Sequence, residues 1–378
     1  MGLTPKHKLV QSREWGQPHN RIFYRVIKDT PILVQSREKV MGKDRVNLVM
    51  DTWGEYLHIE NGCFLIKDRW GEEKKYPFSD EEIKEVWIRN GNYVSVDALT
   101  ALASFNVDVV LATQAKKPVA MLRSLIDDSH VKTRIWQYES FKNDKWYYIA
   151  KQILLTKVEG QRRVLQKWGI EEKYKPDKLI ESSDIRKVRT NFTGSEGKYA
   201  QHYYRSIFKL IPENIRPERR RTYRAYDGLN NIFNLGYEML KWKVHKAIIN
   251  AKLEPYLGYL HSMQFGKPSL ICDFQELYRF IIDDYLIKYC QKIRKKDFIT
   301  KIEEISKAKT IMRVYLNDYK TDELMGLIDE LFNKQFEIPR IRNGQKQGFD
   351  TLIKEEAQLF AKYLRNERKT WVPRIPII

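Results

Sequence analysis

Between Gly258 and Phe280 the sequence reads GYLHSMQFGKPSLICDFQELYRF. It sets a single imidazole, His261, in a Gly/Pro-bearing loop, and a helix-like run beginning near Pro268 follows with Asp273 and Glu276. Proline suits a first helical turn, where its missing N–H is an orphan anyway. Three residues apart on a helix, the two acids lie about 60° apart on one face, and Asp283 and Asp284 fall on that side further along. Two acids so placed repel mildly, and a bound divalent cation is a physical reason to keep them. Without one, such a pair is simply a solvated face. One histidine with carboxylates suits Mn2+, Mg2+ with waters, or Zn2+. The HExxH spacing of zinc hydrolases is missing, which favours a harder ion on oxygen ligands. A third acid lies upstream in TGSEGKYAQHYYRSIF, where Glu196 is expected in the first turn of a helix and could be an ordinary dipole-complementing residue.

The rest of the chain must bring such groups together. It has 378 residues, room for two or three domains. Lys and Arg number 68 against 49 Asp and Glu, a net charge of +19. That excess predicts an anionic partner, nucleic acid first, because docked lysines and arginines release phosphate counterions. Arg216, Arg219, Arg220, Arg221 and Arg224 interleave with tyrosines in RPERRRTYRAY, a composition suited to phosphates and stacking; Arg162, Arg163, Lys292 and Arg294 are further DNA-binding candidates. The three cysteines form no CxxC pair, so neither a disulfide framework nor a zinc finger is indicated, and a reducing, cytoplasmic setting is expected. No signal-peptide-like start and no membrane-spanning apolar run is present.

The pattern is α+β: a small β-rich N-terminal domain followed by a larger all-α domain. Residues 1–45 form an extension of unclear structure containing LVQSRE twice. From 46 to 122, short aromatic and β-branched runs alternate with turn signals at Trp53-Gly54, Asn61-Gly62 and Trp70-Gly71. One helix, capped by Ser95, interrupts them. A linker is expected at 123–140, and 141–378 reads as helical, with helices over KWYYIAKQILLTKVEGQRRVLQKWG, 196–210, 228–250, 268–290, 297–308, 321–334 and 350–365. FTGSEG and FGKPS read as tight loops leading into two of these.

Three blocks together resemble the CRISPR-associated adaptation integrase, or Cas-one endonuclease, family: SEGKYAQHYY, YDGLNNIFNLGYEML and LEPYLGYLHSMQFGKPSLICDFQELYR. Weaker echoes extend the resemblance over roughly residues 46–366. It implies a β-rich dimerisation domain, a helical catalytic domain, and Mg2+ or Mn2+ held by a glutamate, a histidine and an acid. These map to Glu196, His261 and Glu276, with Asp273 as a nearby fourth acid; relatives often carry aspartate where Glu276 stands. It further implies double-stranded DNA as substrate, a homodimer, a small Cas-two partner subunit, and attack of a DNA 3′-hydroxyl on a target phosphodiester, as in spacer acquisition. Water in place of that hydroxyl gives endonuclease activity. A casposase-type transposase has a similar core but commonly an appended helix-turn-helix, for which no room is expected after KEEAQLFAKYL. A non-catalytic DNA-binding scaffold would share the basic surface.

Overall fold

The computed structural model describes residues 46–78, 83–114, 116–124, 131–172, 188–223, 225–306, 309–338 and 346–378. The expected extension at 1–45 and Arg224 lie outside the described residues, as does the side chain of Glu196. The chain divides between Asp128 and Ser129 into two compact units.

The first unit is strand-rich. β1 (Val46–Met50), β5 (Ile83–Arg89), β7 (Asp108–Ala112) and β8 (Pro118–Leu122) form one sheet in the order β1-β5-β7-β8, with β8 antiparallel to β7. A second sheet runs β4-β3-β2-β6, from β2 (Tyr56–Glu60), β3 (Cys63–Lys67), β4 (Glu73–Pro77) and β6 (Tyr93–Val94). The turn signals are realised: Gly54, Gly62 and Gly71 all have positive φ, where a Cβ is disfavoured. Helix α1 (Val96–Ser104) starts where Ser95 accepts the Ala98 N–H at 3.1 Å. It buries Ala98, Ala101 and Leu102 in a core with Leu48, Met50, Leu57, Val86 and Val109.

The second unit is mostly helical. Its helices are α2 (Val131–Glu139), α3 (Lys145–Lys167), α4 (Val188–Phe208), α5 (Gly228–Asn250), α6 (Ser269–Glu276), α7 (Arg279–Cys290), α8 (Asp318–Asn333) and α9 (Phe349–Leu364). One continuous core includes Ile153, Tyr203, Phe233, Leu240, Phe274, Ile282, Ile328 and Phe360.

Four features differ from the sequence expectation. The unit begins at Ser129, and α2 occupies part of the segment expected as a linker at 123–140; its Gln137 is buried and holds the Glu254 and Leu257 carbonyls at 3.1 and 3.3 Å. The helix expected over 297–308 is instead strand β9 (Phe298–Ser306), paired antiparallel with β10 (Lys309–Leu316), so this unit is not purely helical. Phe298, Ile299, Ile302 and Ile305 mimic helical spacing, but the β-branched partner strand KTIMRVYL captures them. A shorter hairpin joins β11 (Gln335–Glu337) to β12 (Lys346–Gly348). The helix expected over 268–290 breaks at Leu277–Tyr278 into α6 and α7. Finally, FTGSEG is no loop: α4 already begins at Val188, so Glu196 stands in its third turn rather than its first.

Candidate active site

The imidazole loop is stapled at both ends. Ser269, the first residue of α6, accepts the Gly258 N–H through Oγ at 3.1 Å and donates to the Tyr256 carbonyl at 2.5 Å. Leu270 N–H reaches back to the Pro255 carbonyl at 3.0 Å. The backbone approach is close enough that a Cβ on Gly258 would stand 2.7 Å from the Ser269 carbonyl carbon. One turn into α6, Asp273 is 0% exposed. Its Oδ2 accepts the backbone N–H groups of Tyr259 and Leu260 at 2.5 and 3.0 Å, and its Oδ1 accepts the His261 N–H at 2.8 Å. Oδ1 also lies 2.7 Å from His261 Nδ1. Four donors on two oxygens repay the burial of the carboxylate. The same contact puts the imidazole proton on Nδ1 and leaves Nε2 as the lone-pair atom, the arrangement carboxylate-backed metal-ligating or proton-accepting histidines use. The His261 side chain is 29% exposed, so it, and not Asp273, is reachable from solvent.

Glu276 stands one turn beyond Asp273, 4% exposed. Arg279 Nη1 donates to its Oε1 at 2.5 Å, and Lys157 Nζ lies 3.0 Å from Oε2. Lys157 arrives from α3, which approaches α7 closely because Gly160 leaves room for the Phe280 ring: a Cβ there would meet it at 2.4 Å. Burial alone would raise the Glu276 pKa, but Arg279, then Lys157 and His261, outweigh it and hold the carboxyl at about 2. Glu276 is therefore a permanent carboxylate within the electrostatic reach of His261.

Beneath this pair lies a buried polar layer that the sequence reading missed. Arg279 stacks over the Tyr237 ring at 4.4 Å. Tyr237 donates to Asp283, as does Tyr203 at 2.8 Å, and the Tyr204 and Tyr237 hydroxyls are 2.8 Å apart. Burial raises Asp283 to about 6 against the pull of both tyrosine hydrogen bonds and two arginines. Asp283 and Asp284 thus do not extend the acidic face of Asp273 and Glu276: Asp284 binds Lys167, Trp168 and Lys288 instead. Tyr203 ties α4 to α7, and residue 196 lies seven positions earlier on α4, within about 20° of the same helix face. Among the described residues no group of three or more His, Cys, Asp or Glu side chains is gathered as a metal site. Among the described side chains the site thus contains His261, Asp273 and Glu276; that of Glu196 lies outside the described residues. For a divalent cation the donor chemistry fits: an oriented imidazole with Nε2 outward and a carboxylate kept ionised.

The candidate DNA-binding residues separate into two groups. Arg162 pairs with Glu159 and Glu172 at 3.0 and 2.9 Å; Arg163 pairs with Glu159 at 2.9 Å and holds the Ile375 and Pro376 carbonyls. Arg220 is folded inward, held by Asn230 Oδ1 at 3.0 Å and Asn234 Oδ1 at 2.6 Å. These three act within the fold. Asn230 also holds the Arg219 carbonyl and the Arg221 N–H, and Asn234 holds the Thr222 carbonyl, so the asparagines of α5 shape the arginine loop. Arg216 and Arg294 cap nearby carbonyls yet remain exposed, as do Arg219 and Lys292; Arg221 is half-buried.

Comparison with known proteins gives one answer. The family model described as CRISPR associated protein Cas1 matches residues 48–321. CRISPR-associated endonuclease Cas1 1 of Archaeoglobus fulgidus is 27% identical over 350 residues, covering 86% of this chain and 98% of the relative. CRISPR-associated endonuclease Cas1 of Korarchaeum cryptofilum is 24% identical over 353 residues, covering 87% and 98%. Among solved structures, a casposase bound to integration product superposes with a TM-score of 0.69 at 21% identity, covering 86% of this chain and 92% of that one. A CAS1 protein from Thermotoga maritima gives 0.67 at 18% identity, covering 86% and 98%. With its strand-rich first unit, its helical second unit and a family match over most of its length, this chain belongs to the CRISPR associated protein Cas1 family.

Proposed function

We propose that this protein is a DNA endonuclease and integrase that cuts and joins phosphodiesters at the His261–Glu276 site, dependent on Mg2+ or Mn2+ held by Glu196, His261 Nε2 and Glu276. The observation that carries the reading is Asp273: a fully buried carboxylate whose four hydrogen bonds aim one imidazole beside a permanently ionised glutamate. Asp273 takes two donors on each oxygen, so its role is to position His261; Glu276 takes one on each, Arg279 on Oε1 and Lys157 on Oε2, and is the ligand of the two. A bound divalent ion supplies Lewis-acid polarisation of a phosphoryl oxygen and orients the attacking and leaving oxygens. The chain itself does the rest. Lys157 and Arg279 hold Glu276 ionised and balance its charge, and the Tyr237–Asp283 layer supports Arg279 from below. Arg219, Arg221 and Lys292, with Arg216 and Arg294, contact phosphates without reading sequence. A DNA 3′-hydroxyl as nucleophile gives strand transfer, as in spacer acquisition, and water gives cleavage. The curated relatives are named endonucleases, and a solved structure of this fold is a Cas6-RT-Cas1–Cas2 complex, which supports double-stranded DNA and a small Cas2-type subunit as partners. The strand-rich unit would join two copies as a homodimer.

The test uses purified protein, Mn2+, a short duplex with free 3′ ends and a supercoiled plasmid, read by product topology. His261→Ala is expected to abolish metal-dependent nicking and joining while leaving DNA binding intact. Unchanged joining overturns the assignment.

A further inference from the structure

Both oxygens of Glu276 already face cations, Oε1 Arg279 and Oε2 Lys157. Arg279 has a second carboxylate within helical reach. Asp283 stands four residues further along α7, the spacing at which arginine and aspartate meet on a helix surface. Arg279 therefore sits between Glu276, three positions before it, and Asp283, four after it. It pairs with Glu276, and Asp283 is met by the Tyr203 and Tyr237 hydroxyls instead. The charge of Asp283 is balanced from a distance by Arg279 and Arg220, which both draw the carboxyl toward its ionised form. The two guanidiniums share one ring: Arg279 is 4.4 Å and Arg220 5.2 Å from the Tyr237 centroid. Arg220 has no acid of its own among the described residues. It is held by the Asn230 and Asn234 side-chain oxygens and the Arg221 carbonyl, and its Nε is buried without a hydrogen-bond partner. Arg220 also belongs to the cationic loop of Arg216, Arg219 and Arg221. A phosphate docked there offers it a charge-assisted pair, about twice as strong as its bonds to neutral amides.

We infer that Arg220 couples DNA docking to the metal site: a phosphate that draws Arg220 out of the Tyr237 layer moves Arg279 from Glu276 to Asp283 and frees Glu276 Oε1 for a divalent cation. The inference rests on the DNA-joining reading above and names the regulation of its site. A buried charge left without a partner is costly, so once Arg220 leaves, Asp283 takes the one cation still within its reach. The exchange needs only a side-chain rotation of Arg279, and Lys157 stays on Oε2. Phosphate binds the outward Arg220 alone, which is what shifts the equilibrium. Without DNA, Arg279 shields Glu276 and the cation is bound weakly. By linkage, the cation strengthens DNA binding by the same factor. Arg220 is a positioning residue: it acts through Tyr237 and Arg279 and touches no reacting atom.

The test measures Mn2+ affinity by electron paramagnetic resonance in wild type, R220K, R220M, D283N and R220M/D283N, without DNA. It is run at pH 8, above the value of about 6 to which burial raises Asp283. R220M is expected to bind Mn2+ about fivefold to 150-fold more tightly than wild type, the usual range for coupled sites, and R220K to behave as wild type. In D283N, Arg279 has no second seat, so R220M/D283N should bind no more tightly than D283N. Equal gains from R220M in both backgrounds overturn the inference, because Arg220 then acts through its charge alone. So does R220M binding no more tightly than wild type. Melting temperatures check that the variants fold. A short duplex supplies a second measurement that needs no Arg220 variant: it should raise the Mn2+ affinity of wild type by a larger factor than that of D283N, and equal factors overturn the inference. Mn2+ uptake with this dependence in a protein that joins no DNA overturns the proposed function and leaves the coupling standing. Normal joining with Mn2+ affinity indifferent to Arg220 does the reverse.

Discussion

Replacing Asp273 with asparagine changes one oxygen into an amide nitrogen at the centre of four donors, and the structure says which way the amide turns. With nitrogen at the Oδ2 position, the N–H groups of Tyr259 and Leu260 both lose their acceptor. A buried donor left unmet costs about 1–3 kcal/mol, so this orientation costs about 2–6 kcal/mol. With nitrogen at the Oδ1 position, the His261 N–H is orphaned, at about 1–3 kcal/mol, and the amide donates to Nδ1 if the imidazole proton moves to Nε2. The second arrangement is cheaper, so D273N adopts it. Two outcomes follow together. The helical unit melts on the order of 2–12 °C lower, at about 2–4 °C per kcal/mol for a unit of this size. The His261 tautomer reverses, removing the outward lone pair and with it the metal-dependent joining proposed above. Thermal unfolding followed by circular dichroism reads the first, and the side-chain 15N shifts of His261 in metal-free protein read the second. A variant that melts within a degree of wild type and keeps its proton on Nδ1 refutes the hydrogen-bond argument.

Two further outcomes follow from the same packing. Glu276 is a carboxyl lowered from 4.5 to about 2, so it stabilises the fold above its unfolded value and the contribution disappears as pH falls from about 4.5 through 2. Glu276→Gln should therefore be less stable than wild type by about 3 kcal/mol at pH 7 and converge with it near pH 2 in urea titrations; a gap independent of pH removes the ion-pair explanation. Gly228→Ala would set a methyl 2.2 Å from the Phe298 ring, so overpacking of about 1–3 kcal/mol outweighs the usual gain of about 0.4–1 kcal/mol from stiffening a glycine. Adding Phe298→Leu should recover part of the loss, and strictly additive effects would show that the β9–β10 hairpin does not dock on α5 there.

Where local chemistry was decisive, the sequence was legible. The turns of the first unit need positive φ at Gly54, Gly62 and Gly71, and α1 needs an oxygen at Ser95; no tertiary contact alters either requirement. Amphipathic period alone marked α3, α5 and α9. The residue types at 261, 273 and 276 marked a candidate site, because an imidazole near two acids is chemically unusual wherever the chain takes it. What each residue does there was decided by the fold. Asp273 and Glu276 look equivalent three positions apart. One is consumed by the loop's backbone N–H groups, and the other faces cations delivered from Lys157 and Arg279. Asp283 was turned inward by tyrosines from α4 and α5, and Arg220 by the asparagines of α5, through contacts that no local pattern encodes. The β9–β10 hairpin shows the limit from the other side: Phe298–Ser306 carries a helical spacing of apolar residues, yet pairing with a partner strand outweighs it, since propensity amounts to tenths of a kcal/mol per residue and tertiary packing to several.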